Sequence, residues 1–186
     1  MKKVAMFIVE GFEEVEGLTV VDYLRRVGVN IDMISVKDET IVNGAHNIQI
    51  KADRLFKDIN GISDYDMYVL PGGSVSAKLM RGEQKLLDFI KSAFDAGKDV
   101  AAICAAPTVL YDAGILQGKN ITSYPGVFRD GQKGFNYVEE NVVIDGNLIT
   151  SRGPAIAVHF ALALVEYIAG EKRRKELEKE LLYDLM

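Results

Sequence analysis

The only cysteine of the chain, Cys104, stands where an apolar run gives way to small residues. The apolar run ends at Ile103, and Ala105, Ala106 and Pro107 follow the cysteine. Because free cysteine is among the most buried residue types, Cys104 can be a small core residue. It can equally be a nucleophile on a tight strand-to-helix turn, where small neighbours avoid a clash and proline favours a helix start. In that second case the helix dipole would favour the thiolate.

Backbone N–H groups near such a nucleophile would stabilise the oxyanion that forms when a thiolate attacks a carbonyl. Ala105, directly after the cysteine, would supply one of these donors. The stretch VLPGG ends a second predicted strand on Gly72 and Gly73, which could supply another. These residues predict an oxyanion pocket at the carboxyl ends of two strands.

The stretch EGFEEVE places four carboxylates close to the first predicted strand. At about 100° per residue, Glu14 falls on the polar side of the following helix and is predicted to be solvated. Glu16 lies on the apolar face, which it shares with Val20, Tyr23, Leu24 and Val27. A carboxyl on that face is either protonated or paired. Glu16 can therefore be a partly exposed carboxylate that stabilises the helix N-terminus, or a general acid and base beside Cys104.

Composition narrows the class of protein. The 186 residues are predicted to form one domain, 1–186, and the net charge of −5 gives no basic field for nucleic acid. One cysteine cannot form an internal disulfide, and one cysteine with two histidines offers no zinc-ligand cluster, so no metal is predicted. The chain contains neither a convincing signal peptide nor an apolar run of membrane-spanning length. A cytoplasmic protein with no membrane association is the expectation.

Short apolar runs alternate with longer amphipathic segments, which predicts an α/β fold with a mostly parallel sheet and helices on both faces. Asn43-Gly44 and Asp145-Gly146 predict two antiparallel hairpins at the margins of that sheet. The predicted strands are 3–9, 29–36, one within YDMYVLPGG (65–73) that ends at the glycine pair, and 99–103. The main predicted helices are 13–27, 76–80, 83–97, 105–114 and 155–170, with a charged terminal helix after them. Ligands in such folds bind at the carboxyl ends of the strands, where the cysteine, the glycine pair and the carboxylates all lie.

The ordered motifs EGFEEVE, VLPGG, AAICAAPT and TSRGP make the chain resemble the ThiJ/PfpI superfamily over essentially its whole length. The resemblance is to the DJ-one-like (Parkinson-disease-associated) branch and its bacterial ThiJ-like relatives. It implies a flavodoxin-like three-layer sandwich and a homodimer. Independently, Val15, Leu18 and Val21 lie off the Glu16 face of the first helix, and this apolar surface favours a subunit contact.

The resemblance also implies roles for matching positions. Cys104 corresponds to a reactive, oxidation-sensitive nucleophile and Glu16 to a protonated carboxyl hydrogen-bonded to it. Gly73 and Ala105 correspond to the oxyanion donors, with Gly72 beside them. Arg26 and Arg152 correspond to charged residues that the family places near the site and the dimer contact.

Two positions depart from the pattern of the family. Ala105 stands where the proteases of the superfamily carry a histidine after the cysteine, which argues against a Cys-His protease. Tyr124, in SYPGVF, stands where close relatives often have a histidine, and it is expected to contact a substrate. Neither His46, in a turn-rich segment, nor His159, in a helix, replaces that residue, and each is expected to be structural or exposed.

The leading interpretation is a cofactor-free enzyme that acts on reactive dicarbonyls such as methylglyoxal, or on their early adducts, in the manner of a glutathione-independent glyoxalase or deglycase. The alternative is an oxidative-stress sensor or chaperone-like protein that works through oxidation of Cys104. A hydrolase, amidase or protease of the wider superfamily is less favoured than these two, and a purely structural role for Cys104 is the least favoured interpretation. The expected small-molecule partner is a reactive carbonyl or an oxidant.

Overall fold

The computed structural model describes residues 2–128 and 132–185. Numbered along the chain, the described strands are β1 Lys3–Ile8, β2 Asn30–Ser35, β3 Ile41–Asn43, β4 Gln49–Lys51, β5 Arg54–Leu55, β6 Met67–Leu70, β7 Asp99–Ile103, β8 Asn120–Ile121, β9 Asn136–Tyr137, β10 Val142–Asp145 and β11 Leu148–Ser151. The described α-helices are α1 Glu14–Arg26, α2 Ser74–Arg81, α3 Gln84–Asp95, α4 Pro107–Asp112, α5 Ala157–Ala169 and α6 Glu171–Glu180. Short 3₁₀ turns occupy Phe56–Asp58, Pro154–Ile156 and Tyr183–Leu185.

Seven of these strands form one sheet in the order β10-β11-β7-β6-β1-β2-β5. All neighbours in it pair in parallel except β10 and β11, which form an antiparallel hairpin at one margin. The predicted α/β fold with a mostly parallel sheet is confirmed, as is the hairpin at Asp145-Gly146. Its turn residues are Gly146 and Asn147, since Asp145 pairs with Leu148.

Helices cover both faces of the sheet, which makes the fold a three-layer sandwich. Alternate residues of β1 face opposite sides: Val4, Met6 and Ile8 pack into one core, and Ala5 and Phe7 into the other. The first core lies against α1 and α5, and the second against α2, α3 and α4. Because both faces are buried, the strands need continuous apolar runs, which explains the composition of KVAMFI and DVAAI.

The other predicted hairpin exists, but its position and turn differ from the prediction. β3 and β4 pair antiparallel as a separate two-stranded ribbon, with Asn43 opposite Gln49. The connection is residues 44–48 rather than an Asn43-Gly44 turn, and its left-handed residue is Asn47, with φ 62°. Gly44 instead pairs with Phe12, which attaches the ribbon to the loop after β1.

The chain reverses its winding direction between β1 and β6. After β1 it passes through α1 on one face to β2, whereas after β6 it passes through α2 and α3 on the other face to β7. A crevice at such a topological switch point is where open α/β sheets bind ligands. The loops after β1, β6 and β7 meet at this crevice. Among the described residues no helix is both long enough and apolar enough to cross a membrane.

Candidate functional site

Cys104 occupies a strained backbone turn at the carboxyl end of β7. Its φ is 65°, a left-handed conformation that costs a non-glycine residue roughly 1–2 kcal/mol. Hydrogen bonds hold the turn on both sides: the Cys104 N–H donates to Ser151 O at 3.1 Å, and its carbonyl accepts from the Tyr124 N–H at 2.9 Å. The half-buried side chain therefore projects from a fixed point above the sheet. A strained turn that the surrounding structure holds in place is typical of functional sites.

Glu16 reaches this turn from the first turn of α1 and is fully buried. The Gly72 N–H donates to Glu16 Oε2 at 2.8 Å, and the Glu16 carboxyl is hydrogen-bonded to the Cys104 thiol. Its other oxygen, Oε1, is buried without a hydrogen-bond partner among the described residues. The structure therefore brings Glu16 and Cys104 together, which rules out a partly exposed carboxylate.

The two groups share their protons as a coupled pair. Burial is the largest cause that raises the pKa of Glu16, to about 7, against the lowering hydrogen bonds from Cys104 and Gly72. Burial is also the largest cause that raises the pKa of Cys104. The charge and the hydrogen bond of ionised Glu16 act in the same direction, and together they raise the pKa of the thiol to about 12. The backbone N–H groups of Gly73 and Ala105 act in the opposite direction. Since Glu16 opposes the thiolate only when ionised, a thiolate is favoured when the proton resides on Glu16.

The helix that follows Cys104, whose dipole was expected to favour the thiolate, is short and begins beyond the turn. α4 begins only at Pro107, three positions after Cys104, and has six residues. Burial, the charge of ionised Glu16 and its hydrogen bond together raise the pKa of the thiol. The anion-stabilising groups at the sulfur are the two backbone donors.

The glycine pair leaves the space that the site needs. A Cβ at Gly72 would collide with Glu16 Oε2 and with the Cβ of Cys104. Gly73 has φ 98°, and a Cβ there would collide with the carbonyl of Gly11. Both collisions are with groups that cannot move aside cheaply. The side-chain-free backbone is what lets the Gly73 N–H approach the sulfur.

Tyr124 and Arg152 lie on either side of the Cys104 turn. The Tyr124 N–H donates a hydrogen bond to the Cys104 carbonyl, which places Tyr124 beside the turn. Arg152 is the next residue after Ser151, whose carbonyl accepts the Cys104 N–H. Both side chains line the same cleft. The structure thus places both residues beside the Cys104 turn, and their contact with a substrate stays a prediction.

Arg26, in contrast, is not part of this site. It is the last residue of α1, so it lies about 15 Å along the helix from Glu16 at 1.5 Å per residue. Its guanidinium Nε donates to Asp22 Oδ2 at 2.7 Å, and its carbonyl accepts from Arg173. Within one chain the structure therefore does not bring Arg26 to Cys104, and its expected place at a dimer contact stays a prediction.

Glu14 is buried, contrary to the prediction of a solvated carboxylate. The ribbon of β3 and β4 covers it: Oε1 accepts from the backbone N–H of His46 at 2.7 Å and of Ile48 at 3.5 Å, and Oε2 lies 2.9 Å from His46 Nδ1. Burial acts to raise the pKa of Glu14, but the hydrogen bonds outweigh it and the pKa is lowered. A helical wheel cannot anticipate this burial, since the ribbon comes from a distant part of the sequence.

Glu13, Glu14 and His46 also bring three possible metal ligands within 4.8 Å of one another. The count of cysteines and histidines missed this group because two of its members are carboxylates. Glu14 and His46 already satisfy each other. His159 is bound elsewhere, since its Nε2 lies 3.0 Å from the Tyr183 hydroxyl. Among the described residues, neither histidine is hydrogen-bonded to Cys104.

The fold and the crevice define an α/β protein with a cysteine on a strained turn, two backbone donors at its sulfur and a buried carboxyl against it. The chain belongs to the DJ-1/PfpI family, whose family model matches residues 2–167.

Individual relatives agree with this assignment. Protein dj-1beta of Drosophila melanogaster is 37% identical over 183 residues, covering 97% of each chain. Its crystal structure superposes with a TM-score of 0.90 at 38% identity, covering 98% of each chain. A deglycase of Pyrococcus abyssi is 34% identical over 153 residues, covering 82% of this chain and 90% of that protein. The structure of oxidised Toxoplasma gondii DJ-1 has a TM-score of 0.84 at 33% identity, covering 98% of each chain.

Proposed function

We propose that the protein is a cofactor-free enzyme that converts reactive dicarbonyls, such as methylglyoxal or its early adducts, into α-hydroxy acids. One observation carries the proposal: Cys104, on its strained turn, is hydrogen-bonded to a buried carboxyl with a pKa of about 7 and faces two backbone donors. This set supplies a nucleophile, a proton carrier and an oxyanion site in one place. The similarity to a deglycase supports the same chemistry.

The reaction begins with the Cys104 thiolate and protonated Glu16. The sulfur attacks the aldehyde carbon, a C–S bond forms, and the carbonyl electron pair moves onto oxygen, where the N–H groups of Gly73 and Ala105 stabilise it. Glu16 then gives its proton to this oxygen, which leaves a hemithioacetal and a carboxylate.

Isomerisation follows without an external oxidant. The Glu16 carboxylate removes the proton from the sulfur-bearing carbon, whose electrons form a C=C bond to the neighbouring ketone carbon while the ketone electron pair moves onto oxygen, which gives an enediolate. Glu16 returns the proton to that second carbon, and the hydroxyl proton of the first carbon passes to the oxygen of the second. The result is an α-hydroxy thioester, in which the first carbon is oxidised and the second is reduced. Water cleaves the thioester to the α-hydroxy acid and restores the thiol. A carboxyl with a pKa near neutrality is suited to both proton transfers.

Lactate production from methylglyoxal, without added glutathione, tests the proposal. We expect turnover by the wild-type protein with a confirmed reduced thiol, and loss of at least about 10³-fold in Cys104→Ser, because the nucleophile is removed. Glu16→Gln should lose activity as well, whereas Glu39→Gln, which changes an exposed carboxylate, serves as the control. Absence of turnover by reduced wild-type protein would contradict the proposal.

A redox sensor is the second candidate, and the half-buried thiol favours it. The Toxoplasma gondii relative has been solved in an oxidised form. A sulfenate or sulfinate on Cys104 would accept hydrogen bonds from the same backbone donors. Mass spectrometry of Cys104 after graded peroxide treatment tests this role. If methylglyoxal turnover is absent, reversible oxidation accompanied by a structural change would favour the sensor.

A further inference from the structure

A cleft of about 300 Å³ lies beside the Cys104 turn. Its walls are Tyr124, Pro125, Asn141, Arg152, Gly153, Pro154, Ala155 and Ile156. Two backbone hydrogen bonds fix these walls relative to the cysteine: from Tyr124 N–H to the Cys104 carbonyl, and from Cys104 N–H to Ser151 O. The cleft is thus held next to the turn that carries the proposed nucleophile.

The walls of the cleft are mainly apolar and include one aromatic ring. Tyr124 is 50% exposed, and its ring lies against Gly153, where a Cβ would be 3.2 Å from Cδ2. Proline rings and the side chain of Ile156 complete the apolar surface. A surface of this kind favours a flat, apolar group that stacks on the tyrosine.

Arg152 supplies a single cation at the edge of the cleft. Within residues 2–128 and 132–185 its guanidinium has neither a hydrogen bond nor an ion pair. A planar guanidinium with free N–H groups is suited to an oxygen acceptor of a ligand. A ligand that fits the whole cleft therefore combines an apolar ring with an adjacent oxygen.

The volume of the cleft also favours a ligand with an apolar ring. Pockets for drug-sized ligands begin at roughly 300 Å³, so a three-carbon dicarbonyl would leave most of this volume unused. An apolar pocket distinguishes substrates by how completely each one fills it. One methylene-sized group changes kcat/KM by about 10- to 200-fold.

We propose that the cleft is a subsite for the substituent of an aromatic α-oxoaldehyde, so that arylglyoxals are preferred over methylglyoxal. This inference rests on the proposed dicarbonyl reaction. The ring lies between Tyr124 and Ile156, and Arg152 donates to the ketone oxygen. The bonds that form and break are those of the reaction above, and the product is an aryl α-hydroxy acid.

The ratio of kcat/KM for phenylglyoxal to that for methylglyoxal tests the subsite. We expect the wild-type ratio to fall by about tenfold or more in Ile156→Ala, which shortens an apolar wall. Tyr124→Leu should also lower the ratio and serves as a second variant if the first fails to fold. Arg152→Leu should lower kcat/KM for both substrates alike, because both carry the ketone oxygen. Ile144→Ala, an exposed isoleucine on β10 outside the cleft, is the matched control.

The outcomes separate the two proposals. Turnover of both substrates with the same ratio in all folded variants would overturn the subsite and leave the reaction standing. If neither substrate is turned over, the reaction is wrong, and equilibrium binding of mandelate and lactate decides the subsite. A mandelate preference that Ile156→Ala abolishes supports it, and equal affinities overturn it.

Discussion

The Gly72 N–H donates to Glu16 Oε2 across 2.8 Å, which joins the end of β6 to the first turn of α1 directly beside Cys104. The Glu13 N–H also donates to the Gly72 carbonyl, at 3.1 Å. Gly72 therefore binds α1 through both its backbone groups. The relative position of carboxyl and thiol is set by the main chain rather than by flexible side chains.

Gly72→Ala should disrupt this arrangement, because the added methyl group would collide with Glu16 and Cys104. We expect loss of about 1–3 kcal/mol in the free energy of unfolding, the range for overpacking, and at least about tenfold loss of dicarbonyl turnover. Gly82→Ala is the control, since its Cβ would make only ordinary contacts, 3.4 Å from Leu79 O and beyond. Equal stability of the two variants in urea titrations would contradict the prediction.

The protonation of Glu16 should be visible in the pH dependence of stability. Its pKa rises from 4.5 to about 7 on folding, so the stability from neutral Glu16 is fully present below about pH 4.5 and lost as the pH rises through 7. At 1.36 kcal/mol per pKa unit, the loss amounts to about 3 kcal/mol. The difference in unfolding free energy between wild type and Glu16→Gln, measured from pH 4.5 to 8, should therefore shift in favour of the variant. A difference in unfolding free energy that stays constant with pH would contradict the raised pKa of Glu16.

The backbone strain at Cys104 predicts an unusual order of stability. At φ 65°, Cys104→Gly should be more stable than Cys104→Ala by about 1 kcal/mol, because alanine keeps the left-handed penalty. At Ala106, two positions further on and with φ −64°, the order should reverse, since Ala106→Gly is destabilising by roughly 0.5–1 kcal/mol. Urea unfolding of these three variants is the measurement. Greater stability of Cys104→Ala than of Cys104→Gly would mean that the turn is not strained.

The buried Glu14 should hold the β3–β4 ribbon in place. Glu14→Ala removes the acceptor for the His46 and Ile48 N–H groups, and we expect a loss of about 1–3 kcal/mol. Amide exchange should accelerate in residues 41–51 before other regions. Glu39→Ala, an exposed carboxylate just before the ribbon, should change neither quantity. Uniform acceleration over the whole chain would show that Glu14 does not act locally.

We propose that the chain forms a homodimer through the surface around Val15 and Ile48. These side chains are 46% and 51% exposed, and they are neighbours because Glu14 accepts from the Ile48 N–H. Val15→Asp should shift the mass from light scattering toward 20.5 kDa, the mass of one chain, because a charge would be buried at the contact. Exposed Val75→Asp is the control. A monomeric wild-type protein would contradict the proposal.

Patterns of apolar residues were sufficient to predict a central sheet with helices on both faces, because strands that are buried on both faces consist of continuous apolar runs. Cys104 and Glu16 could also be placed at one edge of the sheet, because parallel strands bring their carboxyl ends there, although β6 lies between the two strands that precede them. Arg26 could not be placed, and Val21, expected at a subunit contact, is buried within the chain's own core. Glu14 was misassigned for the same reason: a single-helix pattern records that a face is apolar or polar but not which distant segment covers it.

The crevice is built from four separated parts of the chain: the start of α1, the glycine pair after β6, the turn after β7 and the end of β11. Because Glu16, Gly73 and Ser151 reach the Cys104 turn from the other three parts, a partly folded chain holds the thiol without its carboxyl or its full set of donors. The reactivity of this one thiol should therefore change only when the central sheet is complete. The protein thus carries an intrinsic reporter of its own folding, readable by the rate of alkylation at a single atom.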